Sequence, residues 1–363
     1  MKVFHCDHCG DLLFFENTVC LKCAHRVAYL PDLALVGSLD ADVNDANLWR
    51  SPLRAAAERG YRLCLNYTEQ EVCNWVVDAG DSNPLCLSCR LTRVIPDLRE
   101  PGVRQAWYRL EAAKRRLVYT LLSAGLPVRN RDEDPAGGLA FEFKADPPAG
   151  GERVMTGHAD GVITINIAEA DDAEREKRRT ALNEQFRTLL GHVRHESGHY
   201  YWDRLIRDGN ATEACRVIFG DEREDYGQAI EAYYRQGPPP DWQDRFVSAY
   251  ASAHPWEDWA ETWAHYLHMI DTLEMAATCG LSLRPRRSDE PSMPELAAPD
   301  VSPHSPFDRL IESWFPVAYV LNNLNRGLGQ PDGYPFVLST PVLDKLRYIH
   351  EVVGRAAESS ASR

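Results

Sequence analysis

Apolar positions recur at different spacings along this chain, and the spacings divide it into regions. Val103, Trp107, Leu110, Leu117, Leu121 and Leu122 repeat with a helical period between Pro101 and Ala124, with proline at the start, which predicts an amphipathic helix. Leu139 to Phe143 alternates as a strand does. Val154-Met155-Thr156 and Val162 to Ile167 flank an Asp160-Gly161 turn, so a hairpin is expected, and with it a small antiparallel or mixed sheet. Helical patterns dominate from Asp171 onward. Gly237-Pro238-Pro239-Pro240 and the Pro/Ser-rich stretch Arg284 to Pro306 interrupt them, the second reading as a loop or mobile linker. Further helices are expected over Phe307 to Arg326 and Pro341 to Val353, followed by an Ala/Ser-rich frayed tail after Arg355.

Residues 1–95 show neither period over any length. They are short segments broken by turn residues, as expected where metal ions replace a hydrophobic core. The chain therefore divides into a Cys-rich module over 1–95, a second domain over 96–355 that the helix near Pro101 opens, and a flexible tail over 356–363. No internal repeat is present.

Composition narrows the classes. A hydrophobic fraction of 44% with 26% charged residues is that of a folded globular protein. No window approaches the ~18 uninterrupted apolar residues of a spanning helix, and the opening Met1 to Cys6 lacks the apolar core of an export signal, so a cytoplasmic location is expected. Forty basic against fifty-four acidic residues leave a net charge of −14, which on average repels a phosphate backbone and makes nucleic acid an unfavoured partner.

Ten cysteines in such a chain require an explanation, and eight of them lie in the first quarter. Cys6, Cys9, Cys20 and Cys23 form two C-x2-C knuckles, each turning two sulfurs toward one point, which together complete a thiolate tetrahedron around Zn2+. Cys64, Cys73, Cys86 and Cys89 form a second set with one tight pair. A disulfide framework and a redox-active C-x2-C are the competing readings, and His5, His8 and His25 are near enough to replace a thiolate. Cys215 and Cys279 stand apart as small hydrophobes.

Catalytic chemistry is concentrated in His195-Glu196-Ser197-Gly198-His199. On a helix the two histidines project from one face, one turn apart, and can grip one Zn2+, while Glu196 faces the open coordination position. There it can take a proton from the attacking water and pass it to a leaving amine. His192 shares that face as a supporting or surface residue. An edge strand followed by such a helix is an arrangement that binds an extended peptide.

A third ligand is needed. The metzincin pattern requires glycine at 202 and histidine at 205, where this chain has Trp202 and Leu205. A later helix opens at His254-Pro255 with acids in its first turn, and Glu257, Glu261, His265 and His268 fall on one stripe of it. Solvated faces usually mix in Lys and Arg, so this stripe points to metal-site and supporting roles.

H-E-x-x-H on one helix with E-x-x-x-E on a later one resembles the gluzincin metallopeptidases. With the N-terminal Cys-rich ribbon, the run Gly191 to Leu205 and the segment His254 to His268, nearly the whole chain resembles a bacterial family of zinc-binding metallopeptidases carrying a zinc-ribbon domain. The resemblance implies that Glu257 binds zinc and Glu261 supports a ligand histidine. It also implies a tyrosine about two helical turns before the third ligand, a position Tyr250 occupies. The expected protein is thus α+β, a zinc-ribbon module followed by a mainly helical zincin-like domain with a small sheet. It would hold one catalytic and two structural Zn2+ and hydrolyse peptide or isopeptide bonds. His195, His199 and Glu257 would be the ligands and Glu196 the base, with Tyr250 or a histidine of the 265–268 turn on the oxyanion. Glu261 is the alternative ligand and His265 its possible support. The competing expectation is an inactive ribbon-based regulator that binds a protein partner.

Overall fold

Residues 2–147, 151–175, 188–283 and 301–361 are described by a computed structural model. The chain forms two compact units, Met1–Tyr119 with Val128–Glu176, and Thr120–Pro127 with Lys177–Arg363.

In the first unit a short hairpin, β1 (Phe4–His5) and β2 (Leu12–Leu13), precedes a five-stranded antiparallel sheet. That sheet comprises β3 (Arg26–Leu30), β4 (Leu35–Ala41), β5 (Trp49–Arg50), β6 (Tyr61–Leu63) and β7 (Val76–Asp78), in chain order. One turn of helix, α1 (Leu65–Thr68), follows β6. The second sheet has the order β10-β11-β9-β8, with β8 (Thr92–Val94), β9 (Ala140–Lys144), β10 (Gly157–Ala159) and β11 (Val162–Asn166). It is mixed: β9 runs parallel to both neighbours, and β10 pairs antiparallel with β11 around Asp160-Gly161. The expected hairpin is present, with its first strand three residues later than the apolar pattern at Val154 to Thr156 suggested.

The expectation that metal replaces a core in residues 1–95 needs correction. Val27 to Leu30 are all buried, and Phe15, Tyr29, Trp75 and Tyr119 pack ring on ring, with Tyr29 and Trp75 centroids 4.4 Å apart. The sequence hides this core because its strands are short and Tyr119 comes from distant chain, in the helix α2 (Val103–Ser123). That helix also buries a Lys114–Glu111 pair at 2.8 Å, with the ammonium 5.8 Å from the ring centres of Phe141 and Phe143.

The second unit is helical: α3 (Leu189–Tyr201), continued by a π-helical segment Trp202–Arg207, then α4 (Thr212–Phe219), α5 (Tyr226–Gln236), α6 (Pro255–Thr278), α7 (Phe307–Gly327) and α8 (Thr340–Ala361). The last helix runs on through Ala361, where a frayed tail was expected after Arg355. Ala and Ser tolerate helix, and Ala357 is buried against Gly125, which at φ +70° ends α2. Leu182 and Phe186, apolar positions that lead into the motif helix, and residues 284–300 of the linker expected over Arg284 to Pro306 lie outside the described residues. Among the described residues no helix is long and apolar enough to cross a membrane.

The motif helix starts where Thr188 caps it, its hydroxyl oxygen accepting the Gly191 N–H at 2.9 Å. Helix α6 starts at Pro255 with His254 as its cap, Nδ1 accepting from the Trp256 N–H at 3.0 Å. The two helices cross at Gly198. A Cβ there would lie 2.9 Å from the Ala260 Cα, so only glycine permits this approach. Trp259 and Trp263, fully buried, lock the crossing by donating indole N–H bonds to the Gly198 carbonyl (2.9 Å) and the Ser197 hydroxyl (3.1 Å). Two of the three residues between the motif histidines, Ser197 and Gly198, therefore seat α6 against α3.

Candidate metal centres

That crossing brings three side chains from two helices to one point. His195 Nε2 lies 3.2 Å from His199 Nε2 and 3.0 Å from Glu257 Oε2, and His199 Nε2 lies 3.6 Å from Glu257 Oε1. Ligands at zinc's usual 2.0–2.1 Å in a tetrahedron stand roughly 3.4 Å apart, so the donor types and their spacing both fit Zn2+. All three side chains are buried.

Glu261 lies elsewhere. Its carboxylate sits 2.7 Å from His195 Nδ1 and accepts the Ser248 hydroxyl at 2.6 Å. A proton on Nδ1 donated to Glu261 leaves the Nε2 lone pair free to face the cluster, so one carboxylate sets the tautomer while the other completes the donor set.

The electrostatics call for a cation. Burial alone would lower the His195 pKa, but Glu257 and Glu261 reverse this and hold it well above its usual value. Burial would raise Glu257, yet His199, His195 and the Tyr226 hydroxyl bring it to about 2. Paired buried carboxylates of this kind draw either protons onto imidazole or a metal ion between them.

Glu196, adjacent to His195 and buried, is outside the three-ligand cluster. Tyr250 lies beside His195, the two ring centres 6.0 Å apart. His265 is not brought to the cluster. Its Nδ1 is 2.8 Å from the Tyr334 hydroxyl, its ring abuts Phe336 and burial depresses its pKa to about 4. His268 likewise turns to Arg194, with Nδ1 3.4 Å from Nη1, and Arg194 in turn pairs with Asp271. The 257–268 stripe is thus graded from candidate ligand to support to packing, and both histidines of its last turn take partners outside the three-donor cluster. His192 is half-buried and outside the cluster.

Two participants were missed by the sequence. Ser248 has no motif around it. Tyr226, thirty-one residues before Glu257, donates its hydroxyl to Glu257 Oε1 at 2.8 Å, and no local spacing relates the two.

In the first unit each cysteine set converges as expected. Cys6 and Cys23 sulfurs are 3.6 Å apart, Cys9 and Cys20 3.6 Å, and Cys73 and Cys86 3.7 Å. These separations far exceed a disulfide bond and match the roughly 3.8 Å edge of a tetrahedron with 2.3 Å Zn–S bonds. His8 and His25 stack on each other at 3.7 Å, and the cluster they border is made of thiols. The sets do not exchange members. Burial pushes the Cys86 thiol well above its ordinary value, a cost that metal binding removes by holding the thiolate form. Cys215, on α4, is buried and Cys279 is exposed, both apart from these sites.

Comparison with known proteins agrees with this geometry. Residues 3–100 match a zinc-ribbon domain, and residues 103–352 match a family described as "Putative zinc-binding metallo-peptidase". The matched segments and the compact units do not coincide, since residues 103–119 and 128–176 belong to the second match and to the first unit. Curated relatives named as uncharacterized proteins of Mycobacterium bovis and of two strains of Mycobacterium tuberculosis are each 43% identical over 361 residues, covering 98% of this chain and 96% of theirs. No solved structure gives a significant match. With a match over well more than half its length, inside which three candidate metal donors converge, the chain belongs to this zinc-binding metallopeptidase family, with a zinc-ribbon domain ahead of the matched segment.

Proposed function

We propose that the chain is a zinc-dependent hydrolase of peptide or isopeptide amide bonds. The observation that carries this reading is the convergence of His195, His199 and Glu257, with Glu261 on the far nitrogen of His195 and a glutamate outside the donor set directly beside it. Three protein ligands rather than four leave a coordination position open, as hydrolytic centres do. Zinc bound there supplies a Lewis acid and lowers the pKa of water toward neutrality.

The remaining work belongs to the chain's own groups. Glu196 takes the proton of the attacking water and returns it to the leaving amine. Glu261 and Ser248 fix the orientation of His195. Tyr250, beside His195, is the candidate donor to the oxyanion. The four-cysteine sites hold structural zinc, one ion each. With a net charge of −14, a neutral or basic peptide is favoured as substrate, and the site of action is the cytoplasm.

Incubating purified protein with a mixed peptide library and reading the products by mass spectrometry tests this. Wild type should cleave, and Glu196→Gln should keep its zinc while losing ~10²–10⁴ in rate. Undiminished cleavage by Glu196→Gln rejects the mechanism. A wild type that binds zinc and cleaves nothing favours the inactive regulator.

A further inference from the structure

Tyr226 has an unusual combination of properties. It is 42% exposed, yet its hydroxyl reaches inward to hydrogen-bond a carboxylate that is 1% exposed. The placement is built by the fold. Tyr226 is the first residue of α5, which Asp225 caps by accepting the Gln228 N–H at 2.9 Å. The same stretch is tied to the start of α6, where His254 Nε2 donates to the Glu224 carbonyl at 3.1 Å. Rings of His254 and Trp256 stand 5.3 and 5.8 Å from the Tyr226 ring, bracing it edge-on. The helix that presents Glu257 and the helix that presents Tyr226 are thus clamped at their N-termini, three residues before Glu257 and two before Tyr226.

The consequence concerns the carboxylate. Oε1 of Glu257 receives the phenol hydroxyl, while Oε2 is the oxygen nearest His195. Hydrogen bonds from a second layer of residues orient ligands and tune their basicity, and their loss typically weakens metal binding by ~10–100-fold. From this geometry we infer that Tyr226 is a positioning residue for the zinc centre. Its O–H fixes the carboxylate plane of Glu257 and keeps Oε1 engaged, so that Glu257 presents one oxygen to the ion. The inference rests on the proposed metal centre.

Zinc affinity of the third site, measured by competition with a chromophoric chelator, provides the test. Tyr226→Phe keeps the ring and its packing and removes only the hydroxyl, so folding and thermal midpoint of the metal-free protein should be unchanged while zinc binds ~10–100-fold more weakly. Tyr234→Phe, on the same helix and 53% exposed, should leave affinity at the wild-type value. A folded Tyr226→Phe protein that binds zinc as tightly as wild type overturns the inference. Glu257→Ala separates this from failure of the reading beneath it. If Glu257→Ala loses the third ion and Tyr226→Phe does not weaken it, only the role of Tyr226 is wrong. If Glu257→Ala retains the ion, the centre itself is misassigned and the inference falls with it.

Discussion

The cysteine clusters of the first unit and the His/His/Glu cluster of the second suit a zinc ion by opposite constructions. Each cysteine set offers four donors, enough to close a site; the Ser38 hydroxyl lies 3.3 Å from Cys6 Sγ in the first set, and backbone N–H groups support the second. The Trp75 N–H donates to Cys73 Sγ at 3.4 Å and the Cys86 N–H to Cys64 Sγ at 3.3 Å. The second unit supplies three donors, and its support comes from side chains far apart in sequence, namely Glu261, Ser248 and Tyr226. Closed sites of four sulfurs stabilise folds, whereas sites with an open position and a neighbouring base perform hydrolysis. The thiolate sets also differ from each other, since all of Cys64, Cys73, Cys86 and Cys89 are buried while Cys9 and Cys23 are half-exposed.

Disrupting a closed site should have the largest effect. Structural zinc binding contributes folding free energy of ~10–16 kcal/mol in small zinc modules, so Cys86→Ser should make the first unit sensitive to limited proteolysis and abolish its cooperative melt. The aromatic core around Tyr29 and Trp75 opposes this outcome, and retention of a cooperative melt would show that this core, rather than the metal, holds the unit. Cys23→Ser, at the half-exposed site, should have a smaller effect, with loss of one zinc ion and a lowered midpoint but a folded unit. Equal damage from both substitutions would erase the distinction between the thiolate sites.

The crossing of α3 and α6 gives the smallest expected effect. Gly198→Ala forces a methyl to within 2.9 Å of the Ala260 backbone, and overpacking of this kind costs about 1–3 kcal/mol. Thermal denaturation should register that loss in the second unit, and the zinc affinity of its centre should fall because Glu257 moves with α6. A midpoint unchanged within error would mean that the helices adjust freely and that the crossing does not set the ligand geometry.

Much of this was legible in the sequence for physical reasons. Ligand pairs at i, i+4 and C-x2-C knuckles are local, so spacing alone places His195 with His199 and Cys6 with Cys9. The stripe from Glu257 to His268 was visible as a helical face, and the structure divides it into unequal parts: Glu257 and Glu261 meet the motif histidine His195, while His265 and His268 turn to Tyr334 and Arg194. What was hidden depends on chain brought from elsewhere. Tyr226 reaches Glu257 through the clamp between Glu224 and His254, and the core of the first unit is completed by Tyr119 from a helix far along the chain. The sheet expected to border the motif helix in sequence belongs to the first unit, while the helix belongs to the second.

The central claim is that His195, His199 and Glu257 hold a zinc ion with Glu261 as support. Elemental analysis of protein purified without added metal tests it most directly, on wild type, Glu257→Ala and Glu261→Ala together. The account predicts three zinc ions per wild-type chain and two for Glu257→Ala. Glu261→Ala should keep three at saturating zinc, with the third bound ~10–100-fold more weakly. Two ions in Glu261→Ala at saturating zinc, with three retained in Glu257→Ala, would contradict it and shift the ligand by one helical turn.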